Sequence, residues 1–258
     1  MRFAHISDFH IFADKRETAL VRHDAVDAAR KVVADLASLK PAVDAVIFTG
    51  DLTDCGSTRD YALLLGMLAL IKVPIFAVPG NHDRREAFRT ALCRRLPFED
   101  GEFLHYETIF SGMRILGLDT IVPARGEGRL CDRRQEWVAS KLQTTFDGPT
   151  IIAMHHPPFK TGITSLDGAT LVEGSAHLGN LVRRHRNVRI LCGHIHRPVQ
   201  AMWNGAFSAI GGGPSFQIAL DLTGAAEEPP VIPEPYAYFI HELQADGDFV
   251  VHTRYVSI

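Results

Sequence analysis

Ala45-Val46-Ile47-Phe48-Thr49-Gly50-Asp51 is a short run of apolar, β-prone residues that stops at a glycine and a carboxylate. A run with no polar alternation reads as a strand buried on both faces, as in a sheet covered by helices or by a second sheet. The same construction recurs outward from it. Phe3-Ala4-His5-Ile6-Ser7 leads into Asp8-Phe9-His10, and Ile75-Phe76-Ala77-Val78-Pro79-Gly80 into Asn81-His82-Asp83. Ile151-Ile152-Ala153-Met154 leads into His155-His156, and Ile190-Leu191-Cys192-Gly193 into His194-Ile195-His196. Five apolar runs thus end in residues able to bind metal. Ligands of α/β sheets bind at the carboxyl ends of the strands, so the five ends are expected to converge on one site. Gly50, Gly80 and Gly193 each precede a candidate ligand and are expected to allow the torsions of a sharp turn.

Between these strands lie segments of helical period, which makes the class α/β. Val26, Ala29, Val33 and Leu36 recur at helical spacing, Ser57 to Asp60 reads as the start of a helix through Leu63 and Leu70, and Arg84 to Arg95 as another. Phe103 to Ile109 and Arg114 to Leu118, joined by Ser111-Gly112, read as a hairpin. Asp132 with Gln135 offers an N-cap pairing for a helix whose Trp137 and Leu142 face the core. A further helix runs from about Ser175 to His185. Beyond Val199 the helical period ends, and Val199 to Trp203, Ala206 to Ile210, Ile218 to Leu222, Tyr238 to Leu243 and Phe249 to Tyr255 read as strands of a sheet edge. The proline-rich stretch Glu227 to Pro235 is a surface loop.

The chain of 258 residues is 46% hydrophobic, enough for one full core, and with no internal repeat a single domain over 1–258 is the expectation. A formal charge of −3 argues against a nucleic-acid-binding groove. The basic run Arg183-Arg184-His185-Arg186 falls at a helix C-terminus, where cations suit the dipole. Cys55, Cys93, Cys131 and Cys192 form no CxxC pair, which points to a reduced, cytoplasmic setting. The polar N-terminus lacks a signal-peptide core, and no run is long enough to span a bilayer.

Imidazole, carboxylate and amide oxygen together suit zinc, manganese, iron or cobalt rather than calcium. Asp8, His10, Asp51, Asn81, His155, His194 and His196 are too many ligands for one ion. Seven donors with one bridging carboxylate can hold two ions roughly 3.5–4 Å apart. Two divalent ions against Asp8, Asp51 and a hydroxide leave about one net positive charge, which favours an anionic substrate.

The order of motifs, DxH at Asp8 to His10, GD at Gly50-Asp51, GNHD at Gly80 to Asp83, HHPP at His155 to Pro158 and GHxH at Gly193 to His196, resembles the calcineurin-like metallophosphoesterase superfamily. HISD at the start and MHHPP in the fourth block are similar to the bacterial class III cyclic nucleotide phosphodiesterases and their glycerophosphodiesterase relatives. The likeness extends to about Gly213. It implies a four-layer αββα sandwich of two mixed sheets with two divalent or trivalent ions on its rim. One ion would be held by Asp8, His10, Asp51 and His196, the other by Asp51, Asn81, His155 and His194, with Asp51 as bridge. A hydroxide shared between the ions would attack phosphorus in line. His82 would steady the developing charge or protonate the leaving group, with Asp83 orienting His82.

The remaining histidines, His5 among them, read as structural or exposed. His156 reads either as support for the ligands or as packing. Cys192 reads as a small apolar residue, and Cys55 lies nearer the rim, where a partner's thiol could meet it. Phe9, Phe12, Phe159 and Phe216 read equally as an apolar wall for a nucleobase or alkyl group and as ordinary packing. The leading function is hydrolysis of small phosphodiesters, cyclic nucleotides or glycerophosphodiesters. A phosphomonoesterase or protein phosphatase on the same site is the alternative, and a non-catalytic scaffold is argued against by the full ligand set. A homo-oligomer, dimer or higher, is compatible with the sequence.

Overall fold

A computed structural model describes residues 1–14, 21–185, 187–227, 230–244 and 247–258. Arg186, the last member of the basic run, and residues 228–229 of the proline-rich loop lie outside the described residues.

Three of the apolar runs form the parallel centre of one sheet: β1 (Arg2–Ile6), β2 (Ala45–Phe48) and β3 (Ile75–Ala77). Two C-terminal strands, β12 (Tyr236–Leu243) and β13 (Phe249–Val256), extend it antiparallel, in the order β13-β12-β1-β2-β3. The other two runs, β7 (Thr150–Ala153) and β9 (Val188–Cys192), are the centre of a second sheet. It also contains β4 (Tyr106–Phe110), β5 (Met113–Gly117), β10 (Val199–Trp203) and β11 (Ala206–Ile210), in the order β10-β11-β9-β7-β5-β4. Both sheets are mixed, as the resemblance implied.

The layering follows from side-chain alternation along the strands. In the second sheet Ile115, Ile151, Ala153 and Leu191 face one core, shared with the first sheet and with α1 (Ala25–Ser38), α2 (Thr58–Leu68) and α3 (Arg85–Leu92). Their neighbours Leu116, Ile152, Ile190 and Cys192 face a second core with α4 (Asp132–Gln143) and α5 (Ser175–Val182). Each fully buried Ile, Leu or Phe contributes roughly 1.5–3 kcal/mol. Among the described residues no helix is long and apolar enough to cross a membrane.

Local signals held where short-range bonds could form. Ser57 and Asp60 make a reciprocal capping box at the start of α2, worth about 1 kcal/mol. The pairing expected of Asp132 does not form: Cys131 occupies the cap, Asp132 is already helical, and the Gln135 amide donates to Leu130 O at 2.6 Å. The hairpin begins at Tyr106 rather than Phe103, because Leu104 N donates to the Asp119 carboxylate and Asp119 N to His105 Nδ1. The stretch Ile218 to Leu222 is no strand. It makes one bridge to Val231, and then the Asp221 carboxylate accepts from Thr223 and turns the chain. A further two-stranded sheet, β6 (Gly128–Arg129) with β8 (Leu171–Glu173), is too short to show a period in the sequence. The C-terminal strands divide between the two sheets instead of forming one edge.

Candidate metal centre

The loops after β1 and β2 stay zipped beyond the strands: Asp8 N donates to Gly50 O at 3.0 Å, His10 N to Asp51 O at 3.0 Å and Ile11 N to Leu52 O at 3.1 Å. This continuation places Asp8, His10 and Asp51 in left-handed backbone, with φ of 59°, 46° and 48°, and the loop after β9 does the same to His194 (76°) and His196 (53°). Such torsions cost about 1 kcal/mol or more per non-glycine residue and persist only where the surroundings dictate them. Here the dictating bonds include both oxygens of Asp8, which accept from His194 N at 3.1 and 3.0 Å.

Of the three glycines, only Gly50 has a positive φ, at 100°. Gly80 and Gly193 lie outside the left-handed region and serve close approach instead. A Cβ on Gly80 would run into the Asp51 carboxylate and amide, and one on Gly193 into Ser7 Oγ and Asp8 Oδ2.

The seven candidate ligands come together as two sets. In the first, His10 Nε2 lies 3.2 Å from His196 Nε2 and 3.3 Å from Asp51 Oδ2, and His196 Nε2 lies 3.4 Å from Asp8 Oδ1. In the second, Asn81 Oδ1 lies 3.0 Å from His155 Nε2 and 3.1 Å from His194 Nδ1, those two nitrogens are 3.3 Å apart, and His155 Nε2 is 3.3 Å from Asp51 Oδ2. Bonds of about 2.1 Å to one ion separate neighbouring donors by roughly 3.0 Å in an octahedron and roughly 3.4 Å in a tetrahedron. Both sets match those edges. One oxygen of Asp51 faces both, while the other accepts from His82 N at 2.8 Å.

The imidazoles are engaged outside the donor sets as well: His155 Nδ1 with Thr49 O at 2.7 Å, His196 Nδ1 with Phe216 O at 3.3 Å, His10 Nδ1 with Asp54 Oδ1 at 3.3 Å, and His194 with the Ala169 backbone. Such partners fix ring orientation and leave the other nitrogen free for an ion.

The electrostatics make the same demand. Burial, with Asp51 adding, pushes Asp8 up to about 6 against the opposing pull of His155 and His10. Burial opposes the charge on Asp51 too, but His155, His82 and His10 hold it well below the usual carboxylate range. Burial also opposes protonation of His10 and His155, yet the Asp51 charge raises them to about 10 and about 9. His194, pushed down to about 3 by burial and by His155, and His196, pushed down by burial and by His10, stay neutral. Buried carboxylates thus draw protons onto two imidazoles. Two cations would answer that demand and free the lone pairs, so the residues fit a metal pair.

His82 sits at the rim, its side chain 41% exposed. Nδ1 is 3.0 Å from Asp54 O and its ring packs edge-on against His10, which leaves Nε2 without a partner among the described residues. Burial works against its charge, but Asp51 and Asp54 raise its pKa. Asp83 does not orient it. The Asp83 carboxylate instead accepts from Leu52 N, Thr53 N, Thr53 Oγ1, Tyr61 OH and Gly80 N, clamping the Asp51 loop to the Asn81 loop. Asp54, which touches both His10 and His82, escaped the sequence reading; its one signal is a carboxylate three residues past Asp51.

His156 lies beside His155 and His194, but its Nδ1 meets Thr120 Oγ1 at 2.7 Å and its Nε2 Gly126 O at 3.0 Å, so no lone pair remains for an ion. Phe216 stacks on His196 at 3.6 Å, whereas Phe9 packs on Phe48 in the core and Phe159 against the second core. Cys192 is buried in that second core, and Cys55 Sγ lies 3.0 Å from Asp60 Oδ2. Trp137 is half-buried and donates to Glu99.

Comparison with known proteins agrees with this geometry. Residues 1–198 match the family model of the calcineurin-like phosphoesterases. The chain is 32% identical over 253 residues to the probable glycerophosphodiester phosphodiesterase GpdQ of Arcobacter nitrofigilis, covering 98% of this chain and 92% of that one. It is 31% identical over 258 residues to a probable cyclic nucleotide phosphodiesterase of Rhodopseudomonas palustris, covering 98% and 91%. Among solved structures, purple acid phosphatase PPD1 from yellow lupin seeds superposes with a TM-score of 0.63 at 15% identity, over 98% of this chain and 51% of that one, a likeness of fold alone. By its sequence from the first strand through the GHxH block, the chain belongs to the calcineurin-like phosphoesterase family.

Proposed function

We propose that this chain hydrolyses small phosphodiesters of the cyclic nucleotide or glycerophosphodiester type. The observation that carries the reading is one Asp51 oxygen facing two donor sets of ligand-edge dimensions, with a histidine nitrogen at their rim that has no partner among the described residues. Asp8, His10, Asp51 and His196 would hold one ion, and Asp51, Asn81, His155 and His194 the other. When bound, such a pair supplies Lewis acidity to the phosphoryl oxygens and lowers the pKa of water.

The chain's own groups supply the rest. His82, drawn toward its protonated form and held at Nδ1 by Asp54, presents an N–H at Nε2 to the phosphate or to the departing alkoxide, which leaves as the alcohol once it takes that proton. A cavity of about 540 Å³ beside it, lined by Asn81, His82, Arg84, Cys55, Ile121 and Pro123, has room for the alcohol half of a diester. The preference for diesters over monoesters leans on the relatives' names, both of which are phosphodiesterases.

The test is hydrolysis of bis(p-nitrophenyl) phosphate by manganese-loaded protein, beside His82→Ala and Asn81→Ala. Both variants should lose most of the turnover, His82→Ala with its ions still bound. Absence of metal-dependent turnover, or unchanged rates in both variants, overturns the proposal. Matched mono- and diesters, compared by kcat/KM, decide between phosphodiesterase and phosphomonoesterase.

A further inference from the structure

The two donor sets draw on both sheets. Asp8, His10, Asp51 and Asn81 follow strands of the first, while His155, His194 and His196 follow strands of the second. Whatever fixes the sheet separation at this end therefore fixes how the donors face one another.

His5, on β1, is fully buried and ligates nothing. Its Nε2 lies 2.9 Å from Thr49 Oγ1 and 3.0 Å from Cys192 O. A carbonyl only accepts, so Nε2 carries the proton. Burial keeps the ring neutral, with a pKa pushed down to about 3. Thr49 stands two residues before Asp51, and its carbonyl is the acceptor for His155 Nδ1. Cys192 stands two residues before His194 and also accepts from Gly211 N at 2.8 Å. One imidazole thus joins the ends of β1 and β2 in the first sheet to the end of β9 in the second. The gap it spans is narrow: a Cβ on Gly211 would lie 3.1 Å from Ser7 Cβ and 3.4 Å from His5 Nε2. Among the described residues the other bonds that cross the sheets here, such as His194 N to Asp8, His155 Nδ1 to Thr49 O and His155 Nε2 to Asn81, are made by candidate ligands themselves.

We propose that His5 is a positioning residue, a cross-sheet brace that sets the separation of the two donor sets and so the pairing of the ions. The proposal rests on the metal-ligand reading above. It is independent of which ester is cleaved.

The experiment titrates metal-free protein with manganese by calorimetry and reads the spin-coupled manganese pair by electron paramagnetic resonance. Three proteins are compared: wild type, His5→Gln, whose amide N–H reaches near the Nε2 position, and His5→Met, which fills the space without a donor. His5→Met should weaken binding of the second ion by about 10–100-fold, the range for losing a supporting group, and lose the coupled signal. His5→Gln should return affinity to within about threefold of wild type and restore the signal. A folded His5→Met with wild-type affinity and coupling overturns the brace, as does His5→Gln behaving no better than His5→Met. Should His5→Met not fold, His5→Asn, whose shorter amide cannot reach Cys192 O, takes its place with the same two outcomes. A wild type that binds no manganese overturns both this proposal and the metal reading. One that binds the pair without cleaving diesters overturns the proposed function alone.

Discussion

Replacing Gly193 by alanine separates steric fit from the strain of a positive φ, because Gly193 lies outside the left-handed region. The added methyl would lie 2.6 Å from Asp8 Oδ2 and 2.8 Å from Thr49 O, against an ordinary contact of at least 3.4 Å. The Ser7 hydroxyl, nearer still, must turn away, and the carboxylate must move by 0.8 Å (3.4 − 2.6) and the Thr49 carbonyl by 0.6 Å (3.4 − 2.8), or the Gly193 backbone must shift instead. Asp8 belongs to the first donor set and Thr49 O holds His155 of the second, so either shift spoils a half-site. Overpacking of this kind costs about 1–3 kcal/mol of stability, which for a chain of this size lowers Tm by about 2–12 °C. A misplacement approaching 1 Å costs on the order of 100-fold in rate. The assay is manganese-dependent kcat/KM on bis(p-nitrophenyl) phosphate, with bound metal by mass spectrometry and Tm by circular dichroism. Gly66→Ala is the matched control, since a methyl there meets nothing within 4 Å and lies in α2. It should leave activity unchanged and gain up to about 1 kcal/mol. Gly193→Ala protein that keeps both ions and stays within about threefold of wild-type kcat/KM would refute the argument from close approach.

Stripping the metals with a chelator should abolish diester hydrolysis and lower Tm, because ions at about 100 times their Kd contribute roughly 2.7 kcal/mol; a melting curve indifferent to chelator and manganese would contradict the donor geometry. Asp54→Asn, nearly isosteric, should cost about 10–100-fold in kcat by loosening His10 and His82, and stopped assays at saturating substrate measure it; an unchanged kcat would remove Asp54 from the site's support. Arg84→Ala should raise KM for diesters with an anionic second substituent and spare neutral ones, since Arg84 lines the cavity beside His82; equal KM changes for both substrates would count against that placement.

How the site became legible can be followed residue by residue. Asp8, Asp51 and His194 could be picked out because each follows an apolar run, and a run's end is a local property. The capping box of Ser57 and Asp60 was readable for the same reason, its partners being three residues apart. The resemblance implied that Asp83 orients His82, whereas these successive residues of a tight loop point to different neighbours, Asp83 to Leu52, Thr53, Tyr61 and Gly80. His5 and Asp54 looked ordinary because their partners, Cys192 and His10, lie 187 and 44 residues away.

The chain's sequence by itself determined the α/β class, the five strand ends and the chemical character of the donors, since these depend on composition and on spacing along one strand or loop. The grouping of the donors about Asp51 came from the motif resemblance; only the tertiary structure gave the donor distances, spent His156 on Thr120 and Gly126, and put five candidate ligands in left-handed backbone. The physical reason is that these properties belong to the meeting of two sheets. Distances of about 3 Å between donors are fixed by packing and cross-sheet bonds between residues far apart in the chain, and no local pattern encodes them.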